Sequence, residues 1–152
     1  MEFNINLPYC STYGKISQET FNDLLELNAG KISNFTLYNI YNYAYQLSIG
    51  QLRQSFLKMA EVKKLHYDKI CEAIVNYGGL PLISGKTEFW SGKYMIYYSG
   101  SSSIIEIENI ENKIILLQER IIEKTENQSL KKLLSRFIID EQIILNGLKT
   151  KR

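Results

Sequence analysis

Residues 51–77, QLRQSFLKMAEVKKLHYDKICEAIVNY, decide the fold. Leu52, Phe56, Met59, Lys63, His66, Ile70, Ala73 and Tyr77 recur in alternate steps of four and three, the spacing of one face of an α-helix. The stripe predicts a buried face, yet it carries an ammonium at Lys63 and an imidazole at His66. Burying ionisable groups without partners costs several kcal/mol (roughly, after relaxation), so the fold must supply counter-charges or a metal at that level. The helix is expected to run from Gln51 to Tyr77 and to stop at Gly78-Gly79-Leu80-Pro81.

Working outward, a first helix is expected from near Ser17 to about Ser48, with Gly30 interrupting but not ending it. It pairs with the second as an antiparallel hairpin. Residues 82–101 hold Gly85, Gly92 and Gly100 around Phe89-Trp90 and Tyr94-Met95-Ile96-Tyr97-Tyr98, show no helical period, and read as a long ordered crossover. A third helix is expected to start with Ser103 and Glu106 in capping-box spacing and to reach Thr125. Asn127 caps a fourth over about Gln128–Leu148. Two hairpins joined by a long crossover make an all-α, ferritin-like four-helix bundle.

Composition agrees. The chain has 152 residues, 45% of them hydrophobic, which suits one domain over 1–152 with the bundle over about 17–148. A net charge of +2 gives no strong field toward nucleic acid or a membrane, and Lys149, Lys151 and Arg152 read as a solvated tail. Apolar runs fall far short of the roughly 20 residues that span a bilayer. Cys10 and Cys71 lie far apart with no C-x-x-C spacing, which fits a reduced, cytoplasmic setting. Cys71, one position off the stripe, reads as inert; Cys10, in an irregular segment, reads as the more reactive thiol. Trp90 and its neighbours read as a flap packed on the bundle or as an oligomer contact.

The other helices carry matching stripes. Leu24, Leu27, Lys31, Asn34, Tyr38 and Tyr41 mark the first, Ile104, Ile107, Glu111, Ile114, Gln118 and Ile121 the third, and Leu130, Leu134, Phe137, Glu141, Ile144 and Leu148 the fourth. Lys31, Lys63, His66, Glu111 and Glu141 are therefore expected at one central level. A dimetal bundle asks for a Glu on each of two helices and a Glu-x-x-His on each of the others. Here those positions hold Lys31 and Glu111, then Lys63 with His66, and Glu141 with Ile144.

On Gly30-Lys31 with Tyr38, on Ala60-Glu61-Val62-Lys63-Lys64-Leu65-His66, on Glu111 and on Asp140-Glu141, residues 20–149 resemble the ferritin-like superfamily, in particular its bacterioferritin and rubrerythrin branch. The resemblance implies a site for two iron or manganese ions, self-association as a homo-oligomer, and a spore-associated role. His66, Glu111 and Glu141 match ligand positions; Lys31, Lys63 and Ile144 are departures that make the dimetal site degenerate. Two readings follow. In one, no cofactor is held: two lysines neutralise two glutamates as a buried ion network in a non-catalytic structural or assembly protein. In the other, His66, Glu111 and Glu141 keep one iron, manganese or zinc ion as a residual mononuclear site of a metal-binding protein or oxidoreductase.

Overall fold

A computed structural model describes residues 1–3 and 7–152; of the irregular start expected before the first helix, residues 4–6 lie outside the described ones. Among the described residues, five α-helices follow in order: α1 Gln18–Ala29, α2 Asn34–Leu47, α3 Gly50–Asn76, α4 Ser101–Lys124 and α5 Gln128–Lys149. The first expected helix is thus two. Gly30 leaves the helix in an extended conformation, and Ser33 opens a new one with its hydroxyl accepting from the Thr36 amide at 3.1 Å. A serine cap three residues after a glycine ends one helix and starts another, which periodicity alone cannot register.

Together α1 and α2 fill one corner of the bundle, both packing on α3 and α4, while α4 and α5 form the second hairpin. Their facing stripes make a single core that includes Leu24, Leu27, Leu37, Tyr41, Phe56, Met59, Ile70, Ile107, Ile114, Leu134, Phe137 and Ile144. Two expectations at helix ends fare differently. Asn127 caps α5, its Oδ1 accepting from the Leu130 amide at 3.0 Å. Ser103 does not cap α4: that helix begins at Ser101 after Gly100, and the Ser103 hydroxyl instead accepts from the Ser99 amide at 2.9 Å. Gly78, at φ +90°, gives the left-handed turn that stops α3.

The crossover docks on the break between α1 and α2. A Cβ at Gly85 would stand only 3.0 Å from the Gly30 Cα, so the two backbones touch where neither has a side chain. Beside them the Lys86 amide donates to Glu26 at 2.7 Å, and the Trp90 indole donates to Thr36 Oγ1 at 2.9 Å. Phe35 meets the Trp90 ring edge to face at 4.9 Å. Trp90 is therefore a packed flap. Replacing it with Phe removes the indole donor and is expected to cost about 1 kcal/mol, read by chemical denaturation; no change would mean that the bond does not hold the flap.

Residues 7–13 are built into the bundle as a strap along α5 and α3. The Arg136 guanidinium donates to the Leu7 carbonyl at 2.8 Å, Asn76 to the Thr12 carbonyl at 3.0 Å, and Asn127 to the Tyr13 carbonyl at 2.8 Å. Met1 packs beside Met59 and Gly147. The strap therefore runs antiparallel to α5.

Candidate metal centre and its lysine

Lys63, His66, Glu111 and Glu141 meet at the bundle centre, each with no solvent exposure. They come from α3, α4 and α5, which project them inward because each occupies its helix's buried stripe. The Lys63 ammonium lies 2.7 Å from Glu141 Oε1, a hydrogen bond, and 2.9 Å from Glu111 Oε2, an ion pair off the hydrogen-bond axis. Burial pulls the Lys63 pKa down, but the two glutamates outweigh it and hold the ammonium charged. Its charge sits between the carboxylates.

Each glutamate accepts one further hydrogen bond. The Tyr41 hydroxyl donates to Glu111 Oε1 at 2.6 Å, and the Gln118 amide donates to Glu141 Oε2. Burial pushes the Glu111 carboxyl up against the pull of Lys63, whereas Lys63 and His66 overcome burial at Glu141 and hold its carboxyl low. The Tyr41 phenol is driven well above its ordinary range by burial and the nearby carboxylates, so it stays a donor.

Lys31 is not in this centre. It lies exposed in the non-helical link between α1 and α2, because the break at Gly30 stops the stripe that would have carried it inward. Its place is taken by Asn34. Tyr41 stacks on Phe56 across the α2–α3 hairpin at 6.4 Å, and seven residues back from one and on from the other, two helical turns, set Asn34 level with Lys63. Asn34 is fully buried, and neither its Oδ1 nor its Nδ2 has a hydrogen-bond partner. Replacing it with Leu is expected to raise stability by about 1 kcal/mol, since it removes two unsatisfied polar atoms. A fall in the denaturation midpoint would mean that the amide has a partner, such as water or an ion, at the centre. Ile144, the other departure, is buried among apolar neighbours.

His66 is held by a residue that the stripes did not single out as functional. Its Nε2 pairs with Asp140 Oδ2 at 3.0 Å, and its ring stacks on Phe137 with centroids 3.9 Å apart. Asp140 also accepts from the Tyr9 hydroxyl and from Arg136 one turn before it. Burial raises the Asp140 carboxyl, but His66, Tyr9 and Arg136 together hold it below its ordinary value. The centre therefore continues outward from Glu141 through His66 and Asp140 to the strap. Its charge balance changes accordingly: two cations, Lys63 and Arg136, face three carboxyl groups, rather than two lysines facing two.

A pair of metal ions does not fit this donor set. The ammonium occupies the space between the two glutamates, Ile144 offers no lone pair, and Lys31 is outside. Among the described residues, no group of three or more His, Cys, Asp or Glu side chains is arranged to hold a metal ion. One donor is open: His66 Nδ1 has no hydrogen-bond partner and lies 3.7 Å from Glu141 Oε1.

No protein-family model matches the sequence, and no curated protein matches it by sequence. Solved structures do match by shape. The chain is similar to KatB, a manganese catalase from Anabaena, in two crystal structures with TM-scores of 0.76 and 0.71; each is 15% identical over 99% of this chain and 80% of that one. It is also similar to a dodecameric thioferritin, the bacterioferritin-related protein from Bacteroides fragilis, with a TM-score of 0.68 and 19% identity over 87% of this chain and 83% of that one. Identity this low carries the fold alone. The chain has the ferritin-like four-helix fold. Among the described residues, no helix is long and apolar enough to cross a membrane.

Proposed function

We propose that this ferritin-like bundle is a non-catalytic structural or assembly protein whose centre has exchanged dimetal chemistry for a tethered cation. The observation that carries the reading is the Lys63 ammonium, fully buried within 2.9 Å of both Glu111 and Glu141. Such an ammonium supplies positive charge among the carboxylates without metal, and it blocks access to their oxygens. The bundle is proposed to act by self-association, as the thioferritin does in forming a dodecamer. What supports this is the crossover surface, where Leu80 and Phe89 are each 71% exposed and Leu82 and Ile83 about half exposed. A cytoplasmic and spore-associated place belongs to the same proposal, the first resting on two free, unpaired cysteines and the second on the resemblance alone.

The test is elemental analysis of the purified protein together with an anomalous-scattering map. Less than stoichiometric metal, with no anomalous peak at the bundle centre, is expected. Stoichiometric iron, manganese or zinc on His66, Glu111 and Glu141 would overturn the proposal in favour of a residual mononuclear site. That second reading is favoured by one observation, the unpartnered His66 Nδ1 beside Glu141. In it, a single ion would polarise a bound water, and Lys63 would have to turn aside or lose its proton.

A further inference from the structure

Away from the centre, Cys71 on α3 borders a surface recess of about 640 Å³ lined also by Asp68, Glu72, Val75, Asn76 and Pro81. Its sulfur accepts a hydrogen bond from the Asn28 amide of α1 at 3.3 Å. Asn28 has no solvent exposure, and its Oδ1, on the same amide group, has no partner at all. A buried amide with one end on a sulfur and the other unsatisfied is destabilising, and a donor formed at that sulfur would relieve it. Tyr67, one turn earlier on α3, has its phenol pushed above its ordinary range by burial first and then by its interaction with the same sulfur. The carboxylates at the rim are offset by their own lysines, Lys64 at 2.8 Å from Asp68 and Lys69 at 3.4 Å from Glu72. The recess therefore presents the thiol without a strong charge of either sign, which admits a small neutral oxidant.

We propose that Cys71 is a peroxide-reactive thiol and that Asn28 is built to hold its sulfenic acid. The sulfur attacks one oxygen of hydrogen peroxide; the S–O bond forms as the O–O bond breaks. Sulfur loses two electrons, and the departing oxygen leaves as hydroxide and takes the thiol proton to become water. The hydroxyl of the new S–O–H group is the donor that Asn28 Oδ1 lacks. This reverses the expectation from sequence that Cys10 is the reactive thiol. Cys10 is also free and half-buried, its sulfur donating to the neighbouring Ser11 carbonyl at 3.3 Å, and among the described residues no side-chain amide donates to that sulfur.

The two cysteines make an internal comparison. The full chain is treated with dilute hydrogen peroxide and trapped with dimedone, and peptide mass spectrometry reads the adduct at each cysteine over time. Cys71 is expected to label several-fold faster than Cys10, and Asn28→Leu and Asn28→Ser to slow labelling at Cys71 severalfold while leaving Cys10 unchanged. Equal or slower labelling at Cys71 would overturn the proposal, as would folded Asn28 variants that label like the parent. The comparison within the parent protein decides reactivity even if a variant fails to fold.

Discussion

Lys63→Ala is expected to lower the stability of the bundle by about 3–5 kcal/mol, because it leaves two buried glutamates facing each other without their cation. Chemical denaturation reads the loss. The same variant tests the idea of a tethered cation directly. With the ammonium gone, the two carboxylates and the open His66 Nδ1 surround a space of the right charge for a divalent ion. Manganese or zinc is expected to restore part of the lost stability to the variant and to leave the parent protein unmoved, since only a state that binds the ion is stabilised by it. A parent protein stabilised as strongly as the variant would show that Lys63 does not keep metal out. An unchanged midpoint for Lys63→Ala would show that the network contributes nothing to the fold.

Asp140→Ala is expected to cost about 3 kcal/mol or more, because it removes the one buried carboxylate that Arg136, His66 and Tyr9 share. Its second effect is local. Tyr9 and Leu7 are both fastened through the Arg136 and Asp140 pair, so the strap should loosen and trypsin should cut after Lys15 faster than in the parent. Tyr9→Phe provides the scale, losing one hydrogen bond to a carboxylate at about 1.5–3 kcal/mol and keeping the ring over His66 and Phe137. If Asp140→Ala left cleavage at Lys15 unchanged, the strap would be held by its other contacts alone.

These two sites differ in how far they could be read from sequence. Lys63, His66, Glu111 and Glu141 are legible because each sits on an uninterrupted stripe, and a helix carries every residue of a stripe to the same side. Lys31 fails for the matching reason. Its stripe crosses Gly30 and Ser33, where the helical rotation is lost, so counting by threes and fours no longer predicts direction. Asn34 restarts the count on the far side. Asp140 and Arg136 lie beside the α5 stripe, on a buried face wider than the stripe itself, and their i, i+4 pairing also describes an ordinary surface ion pair. Tyr9 has no period to be found by, since its place is set by contacts with residues far along the chain, such as Asp140, 131 positions away. The capping box at Ser103 was a local signal overruled by where the crossover delivers the chain to α4.

The strap also bears on the order in which the molecule opens. Its hydrogen bonds include ones that join residues 64 and 131 positions apart, whereas Tyr41 and Phe56 stack across a hairpin that needs only local closure. Long loops form late and their contacts are entered by few routes, while hairpins collect most of their contacts early. Amide hydrogen exchange should therefore divide the protein into two cooperative units. Amides of the strap are expected to exchange through a partial opening that spares the helices, and those of α3 and α5 only when the whole bundle unfolds. The lysine centre would then be exposed in two stages, first along the Asp140 side and only later between the glutamates.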